Sequence, residues 1–126
     1  MFKKIFLLTA FFAVGFANYA FAAADKIVVY YFYASPRCMT CKNIEKYTGE
    51  TVKAMKMKNL SYKTIDLDNP ANTGYWKKYN LYTKSVVLTK IKNGKEIKYK
   101  NLDQIFMKAH NEQAFKTYVS GEIKKF

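Results

Sequence analysis

The sequence has few of the residues that build cofactor sites. It contains only five glycines, and no glycine-rich turn follows a hydrophobic run, so we expect neither a flavin nor a nicotinamide cofactor. It contains one histidine, His110, which lies far from both cysteines along the chain and is expected to have a surface or capping role. Zinc in a monomer would need ligands beyond two thiolates, and the sequence offers no evident ones.

Long hydrophobic runs are absent beyond the first residues of the chain. Two lysines precede an apolar run, 5–16, that ends in small residues, which is typical of a secretory signal peptide over 1–24. No cysteine lies near the end of this segment, so lipoprotein processing is excluded. We expect cleavage after Ala22 or Ala24, a soluble domain over 25–126 that does not span the membrane, and a periplasmic or extracytoplasmic location. An uncleaved membrane anchor is the alternative.

Acidic residues are also scarce, since nine Asp and Glu stand against 22 Lys and Arg, for a net charge of +13. An excess of basic residues can favour binding to nucleic acid, to an anionic membrane surface or to an acidic partner protein. The lysines are spread over every predicted element, however, which is typical of solvated surfaces. Together with export, this argues against a nucleic-acid partner.

The chain beyond residue 24 predicts alternating strands and helices. Strands are expected where β-branched and aromatic residues cluster, and helices where apolar residues recur at helical spacing. Asn93 and Gly94 predict a hairpin between the last two strands. The order β-α-β-α-β-β-α predicts an α/β fold, a mixed β-sheet flanked by helices, in which the first strand is central and buried on both faces. The predicted strands are 27–33, 60–67, 85–91 and 95–99, and the predicted helices are 38–58, 71–79, 102–109 and 112–124.

The two cysteines, Cys38 and Cys41, lie at the predicted start of the first helix. A disulfide across so short a loop removes little chain entropy, so it would stabilise the fold weakly. A helix N-terminus can instead lower the pKa of a cysteine from about 8.5 to about 3.5–7.5. Arg37 and Lys42 add positive charge beside the pair. We therefore expect Cys38, the more exposed, to be the attacking thiolate and Cys41, one turn inward, to be the resolving thiol.

Met39 and Thr40 separate the two cysteines. Met39 carries a soft thioether that could assist a copper(I) ion, and it could equally be an exposed apolar contact for a partner protein, which is the interpretation we favour. An iron–sulfur cluster bridging two chains through Cys38 and Cys41 is the more serious metal alternative. Thiol–disulfide chemistry without a cofactor is the main hypothesis.

A buried strand followed by Cys-x-x-Cys at a helix start, in this order of elements, resembles the thioredoxin superfamily over the whole of 25–126. A narrower resemblance is to the ArsF-type family of exported thioredoxin-like proteins, described as nitrophenyl-compound nitroreductase subunits. It is carried by the segments 29–32, 37–45, 81–88 and 100–103.

This resemblance implies an exported thiol–disulfide oxidoreductase that acts as an electron-transfer subunit or partner of a reductive detoxification system of the nitroaromatic or aromatic arsenical type. It also implies a protein thiol or disulfide partner, namely a membrane thiol transporter similar to the one used in cytochrome c biogenesis.

Three departures from the superfamily pattern concern the site. The tryptophan, glycine and proline around the two cysteines are replaced by Arg37, Met39 and Thr40. Phe32 takes the place of the buried acid that helps to deprotonate the inner cysteine. The cis-proline that faces the cysteines in the superfamily falls at about Ser85, or at Lys84, so that peptide bond is expected to be trans. Because the proline shields the pair from metals in the superfamily, its absence leaves metal or cluster binding open.

Overall fold

A computed structural model describes residues 25–126, and the predicted signal peptide, 1–24, lies outside the described residues. Within them, no helix is both long enough and apolar enough to cross a membrane. The order of elements is the predicted one. The elements are β1 (Lys26–Tyr33), α1 (Met39–Met55), β2 (Leu60–Asp66), a 3₁₀ turn (Pro70–Asn72), α2 (Gly74–Lys78), β3 (Ser85–Lys92), β4 (Lys95–Asn101), α3 (Ile105–Lys108) and α4 (Glu112–Lys125).

β1 occupies the centre of the sheet, whose strand order is β2-β1-β3-β4. It runs parallel to β2 and antiparallel to β3, and the hairpin adds β4 antiparallel to β3. Parallel neighbours need a crossover connection, which α1 supplies between β1 and β2. The turn of the hairpin has φ of 53° at Asn93 and 79° at Gly94, as the sequence signal predicts. The thioredoxin-like fold class is therefore confirmed.

The end of α1 and the passage from β4 to α3 differ from the predicted boundaries because of local backbone geometry. α1 ends at Met55, before the predicted residue 58, since Lys56 adopts a left-handed φ of 51° that stops the helix. β4 continues to Asn101, and the N–H of Leu102 then donates to the carbonyl of Val86 at 2.9 Å. The helix predicted from 102 therefore begins only at 105, as α3.

The helix predicted over 71–79 is split into two short pieces. Asn69 caps the 3₁₀ turn by accepting a hydrogen bond from the N–H of Ala71 at 2.9 Å, with Pro70 in the first turn. α2 then starts at Gly74 and makes little more than one turn. The first and last residues of such short helices are determined by contacts with neighbouring elements rather than by intrinsic helix propensity.

The two faces of β1 pack against two different clusters. Val29 and Tyr31 belong to the larger cluster, which buries the apolar sides of α1, α3 and α4. Phe32 belongs to a smaller one that includes Tyr79, with Trp76 packed against it. Successive strand residues point to opposite faces, so the Cys-x-x-Cys helix lies on the face of Tyr31.

Candidate active site

The cysteine pair lies where β1 has ended and α1 begins. Cys38 is the N-cap residue of α1, with an extended backbone (φ −86°, ψ 169°), and its Sγ accepts a hydrogen bond from the N–H of Cys41 at 3.2 Å. In most helices this place is held by Ser, Thr, Asp or Asn. The sulfur of Cys38 thus points into the positive end of the helix, where a thiolate is favoured over a thiol.

Cys38 and Cys41 form a disulfide, with their Cα atoms 5.0 Å apart. Cys38 is exposed, whereas Cys41 is only 1% exposed. A thiolate from another molecule can therefore reach the sulfur of Cys38 and not that of Cys41. The roles of attacking thiol for Cys38 and resolving thiol for Cys41 stay a prediction.

The first turn of α1 contains no acidic residue. Met39 is 71% exposed, and Thr40 and Lys42 are exposed as well. No carboxylate in that turn competes with a thiolate for the helix N-terminus, and Lys42 carries a cation one residue beyond Cys41.

Arg37 is held beside the pair by a partner that the sequence analysis missed. Its guanidinium pairs with the carboxylate of Glu45 and lies 4.3 Å from the centre of the Tyr33 ring. Part of the positive charge predicted for Arg37 is therefore neutralised. Glu45 lies two helical turns after Cys38, so helical spacing alone could have placed it on the same side of α1.

The loop before Cys38 is fixed by two side chains that are distant along the chain. The carboxylate of Asp68 accepts a hydrogen bond from the N–H of Ser35 at 2.7 Å, and the ammonium of Lys84 donates to the carbonyl of Pro36 at 2.5 Å. Hydrogen bonds from the side chain and the backbone of Ser35 hold the pKa of Asp68 below its usual value. No sequence signal pointed to these two contacts.

Ser85 opens β3 directly opposite Phe32 on β1. Its hydroxyl donates to the carbonyl of Thr83 at 2.8 Å. Over residues 25–126 the only cis peptide bond is Ser35–Pro36, so the bond preceding Ser85 is trans. Phe32 is fully buried, and no acid occupies its position.

Two tyrosine hydroxyls tie α1 to the sheet, and the sequence analysis assigned neither of them to the site. Tyr31 is fully buried and donates to the carbonyl of Cys41 at 3.1 Å, and Tyr62 donates to the carbonyl of Glu45 at 2.9 Å. Burial, aided by the charge of Glu45, raises the pKa of Tyr31 to about 12 and also raises the pKa of Tyr62. Gly49 makes room for the second contact, because a Cβ there would lie 2.9 Å from the Tyr62 ring.

A shallow groove runs beside the site. Tyr82, which is 87% exposed, and Phe106, which is 40% exposed, line it together with Ser85 and Lys84. Lys84 connects the groove to the loop that leads to Cys38, because its ammonium also donates to the carbonyl of Pro36.

The described part of the chain holds no cluster of three or more His, Cys, Asp and Glu side chains placed to bind a metal ion. His110 is exposed in the connection between α3 and α4. A metal held by Cys38 and Cys41 would need ligands from another molecule, such as a second chain.

No family model matches this sequence, and no curated protein matches it. Among solved structures, the Trx4 domain of ERdj5 is similar, with a TM-score of 0.54, 17% identity, and 80% of this chain and 82% of that one covered. The fold of this chain is thioredoxin-like. A malaria parasite thioredoxin-2, described as a component of the protein secretion machinery, has a TM-score of 0.51 at 19% identity, covering 81% of this chain and 84% of its own.

Human ERp44 also resembles this thioredoxin-like chain, with a TM-score of 0.51 at 15% identity; 79% of this chain and 24% of that one are covered. At such identities the likeness establishes the fold alone. The narrower ArsF-type resemblance remains a prediction from the sequence.

Proposed function

We propose that this thioredoxin-like chain is a thiol–disulfide oxidoreductase that reacts through Cys38 and Cys41. The observation that carries the proposal is the N-cap position of Cys38, which exposes one sulfur at a helix start and buries its disulfide partner Cys41 behind it. A purely structural disulfide of this loop length would add little stability.

The reaction begins when the Cys38 thiolate attacks one sulfur of a partner disulfide. That S–S bond breaks, a mixed disulfide with Cys38 forms, and the other partner sulfur leaves as a thiolate that takes up a proton. Cys41, after losing its own proton, then attacks the sulfur of Cys38 and releases the second partner thiol. Two electrons and two protons pass from the protein dithiol to the partner, and Cys38–Cys41 becomes the disulfide; the opposite direction retraces the same steps.

The partner that best fits this site is another protein. Met39 on one side of Cys38 and Tyr82 on the groove side offer exposed apolar surface, which polypeptide partners commonly cover. The sequence offers no nucleotide-binding turn, so electrons have to arrive by thiol exchange.

We also propose that the protein acts outside the cytoplasm, as an electron-transfer partner in reductive detoxification, and that a membrane thiol transporter re-reduces it. The predicted signal peptide over 1–24 and the ArsF-type resemblance support this proposal. An exported dithiol that works as a reductant needs such a supply, because its compartment is oxidising.

The test of the basic activity is equilibration of the purified, reduced protein with glutathione buffers under anaerobic conditions. We expect a reversible conversion between dithiol and disulfide that consumes one glutathione disulfide per protein and leaves a colourless, metal-free product. A protein that does not equilibrate, or one that is isolated with a coloured cluster bridging two chains, contradicts the proposal.

The test of the cellular role is thiol trapping of Cys38 and Cys41 in the host, with and without the candidate membrane transporter. We expect the reduced fraction to fall when the transporter is deleted. Cysteines that are fully oxidised in both strains would refute the reductant role, and a mass that retains Met1 would refute cleavage.

A further inference from the structure

Tyr31 places a buried hydroxyl under the inner cysteine. The ring is fully buried in the larger core cluster, and its hydroxyl donates to the carbonyl of Cys41 at 3.1 Å. Cys41 lies in the first turn of α1, where the backbone is least restrained by the helix itself. The phenol is thus a tertiary contact from β1 to the backbone of the inner cysteine.

We propose that Tyr31 is a positioning residue for the disulfide: its hydroxyl fixes the backbone of Cys41 and thereby favours ring closure between Cys38 and Cys41. This inference rests on the proposed thiol–disulfide activity and names a residue that sets its equilibrium. Closing a disulfide depends on how often the two sulfurs meet, and holding one of them in place raises their effective concentration.

The hydroxyl of Tyr31 acts as a donor and not as a proton acceptor. Burial raises the pKa of Tyr31 to about 12, so the phenol keeps its proton at neutral pH. It therefore does not replace the acid that is missing at Phe32. Its contribution is the hydrogen bond to a carbonyl, which is unaffected by pH over the range in which thiols titrate.

Tyr62 provides a matched control on the same helix. Its hydroxyl donates to the carbonyl of Glu45 at 2.9 Å, one turn beyond Cys41, and its ring is also largely covered. Removing either hydroxyl deletes one tyrosine-to-backbone hydrogen bond of α1. Only the bond of Tyr31 ends on a cysteine, so only that bond should be linked to disulfide formation.

The linkage has a thermodynamic consequence. If the Tyr31 hydrogen bond favours the disulfide, the disulfide must favour the hydrogen bond by the same factor. Loss of the hydroxyl should therefore destabilise the oxidised protein more than the reduced protein. If the hydroxyl only stabilised the fold, its loss would destabilise the oxidised and the reduced protein equally and would leave the redox equilibrium constant unchanged.

The experiment measures the equilibrium constant for oxidation by glutathione disulfide, in which the protein dithiol becomes Cys38–Cys41 and one glutathione disulfide becomes two glutathione thiols. For Tyr31→Phe we expect this constant to fall about two- to tenfold, the range that corresponds to one hydrogen bond. For Tyr62→Phe we expect a change of less than twofold. Thermal unfolding of both redox forms should show the larger loss in oxidised Tyr31→Phe.

An unchanged equilibrium constant in folded Tyr31→Phe would overturn the inference, as would an equal shift in Tyr62→Phe. Neither result would contradict the proposed activity, which fails only if the wild-type protein does not equilibrate with glutathione.

If Tyr31→Phe does not fold, 3,5-difluorotyrosine at position 31 supplies a test in the opposite direction. Its more acidic hydroxyl is a stronger donor, so the equilibrium constant should rise, and a constant that stays the same or falls would overturn the inference.

Discussion

The two long helices within residues 25–126 begin with nearly the same geometry and different chemistry. α1 is capped by Cys38, whose Sγ accepts from the N–H of Cys41 at 3.2 Å. α4 is capped by Asn111, whose Oδ1 accepts from the N–H of Ala114 at 2.9 Å. Both cap residues have extended backbones, so both satisfy a helix donor in the usual way.

The difference lies in what surrounds each cap. α4 has Glu112 in its first turn, which already balances the positive helix end, and its cap is a neutral amide. α1 has no acid in its first turn, its cap can ionise, and the donor to that cap belongs to a second cysteine. The same capping geometry thus supports stability at one helix and reactivity at the other.

Replacing the cysteine that caps α1 with a common capping residue should have the largest effect on disulfide exchange. Cys38→Ser keeps a good capping side chain, so the protein should fold, but it removes the nucleophile and should abolish disulfide exchange altogether. Reduction of glutathione disulfide by the reduced protein measures this. Asn111→Ser makes the equivalent swap at α4 and should retain full activity; comparable activity in both variants would contradict the assignment.

Removing the inner cysteine should arrest the reaction halfway. In Cys41→Ser the thiolate of Cys38 still attacks, but no thiol resolves the product, so mixed disulfides should accumulate. Intact mass after incubation with glutathione disulfide shows the expected adduct on Cys38. If Cys38→Ser formed the stable adduct and Cys41→Ser did not, the roles of the two thiols would be reversed.

Breaking the cap of α4 should affect stability and leave the redox reaction alone. Asn111→Ala leaves the N–H of Ala114 without its side-chain acceptor, which should cost about 1 kcal/mol. Thermal unfolding should show a fall in Tm of several degrees, on the order of 4–8 °C for a domain of this size. The rate of exchange at Cys38 serves as the control, and a large change in that rate would contradict the separation of the two helix ends.

Giving α1 the acidic first turn of α4 should weaken the thiolate. Thr40→Glu places a carboxylate near the helix start and beside Cys38, so the pKa of the Cys38 thiol should rise by up to about 1 unit. Thr40→Gln has the same size without the charge and is the matched control. The pH dependence of iodoacetamide alkylation measures both, and equal profiles would show that helix-end charge does not control Cys38.

The smallest effect concerns the loop in front of α1. Hydrogen bonds from Ser35 hold the pKa of Asp68 below its usual value of 3.8, so the charged carboxylate stabilises the fold above pH 3.8, and this contribution is lost as pH falls through the lower folded pKa. Asp68 is exposed, so the contribution is small and screened by salt. Wild type should therefore be slightly more stable than Asp68→Asn near neutral pH, and the gap should close in acid. A difference in Tm between wild type and Asp68→Asn that does not change with pH would contradict this prediction.

Much of the architecture could be predicted because it depends on local patterns. The change from a continuous apolar run to helical spacing at Cys38 places the cysteines at a helix start, and Asn93–Gly94 places the hairpin. The ends of α2 and α3 could not be predicted, because such short helices end where neighbouring elements stop them. The N–H of Leu102, for example, is taken by the carbonyl of Val86 on β3.

Local sequence patterns are enough to predict which cysteine is exposed at the helix start, which lies one turn inward, and which elements follow, since these depend on neighbours within a few positions. The contacts that support the cysteine pair become visible only in the folded chain. β1 is apolar on both faces, so its sequence has no alternation to show that Tyr31 faces α1 while Phe32 faces the other cluster. Likewise, Lys84 reaches Pro36 across 48 positions of the chain because β3 pairs with β1, and that pairing exists only once the sheet is formed.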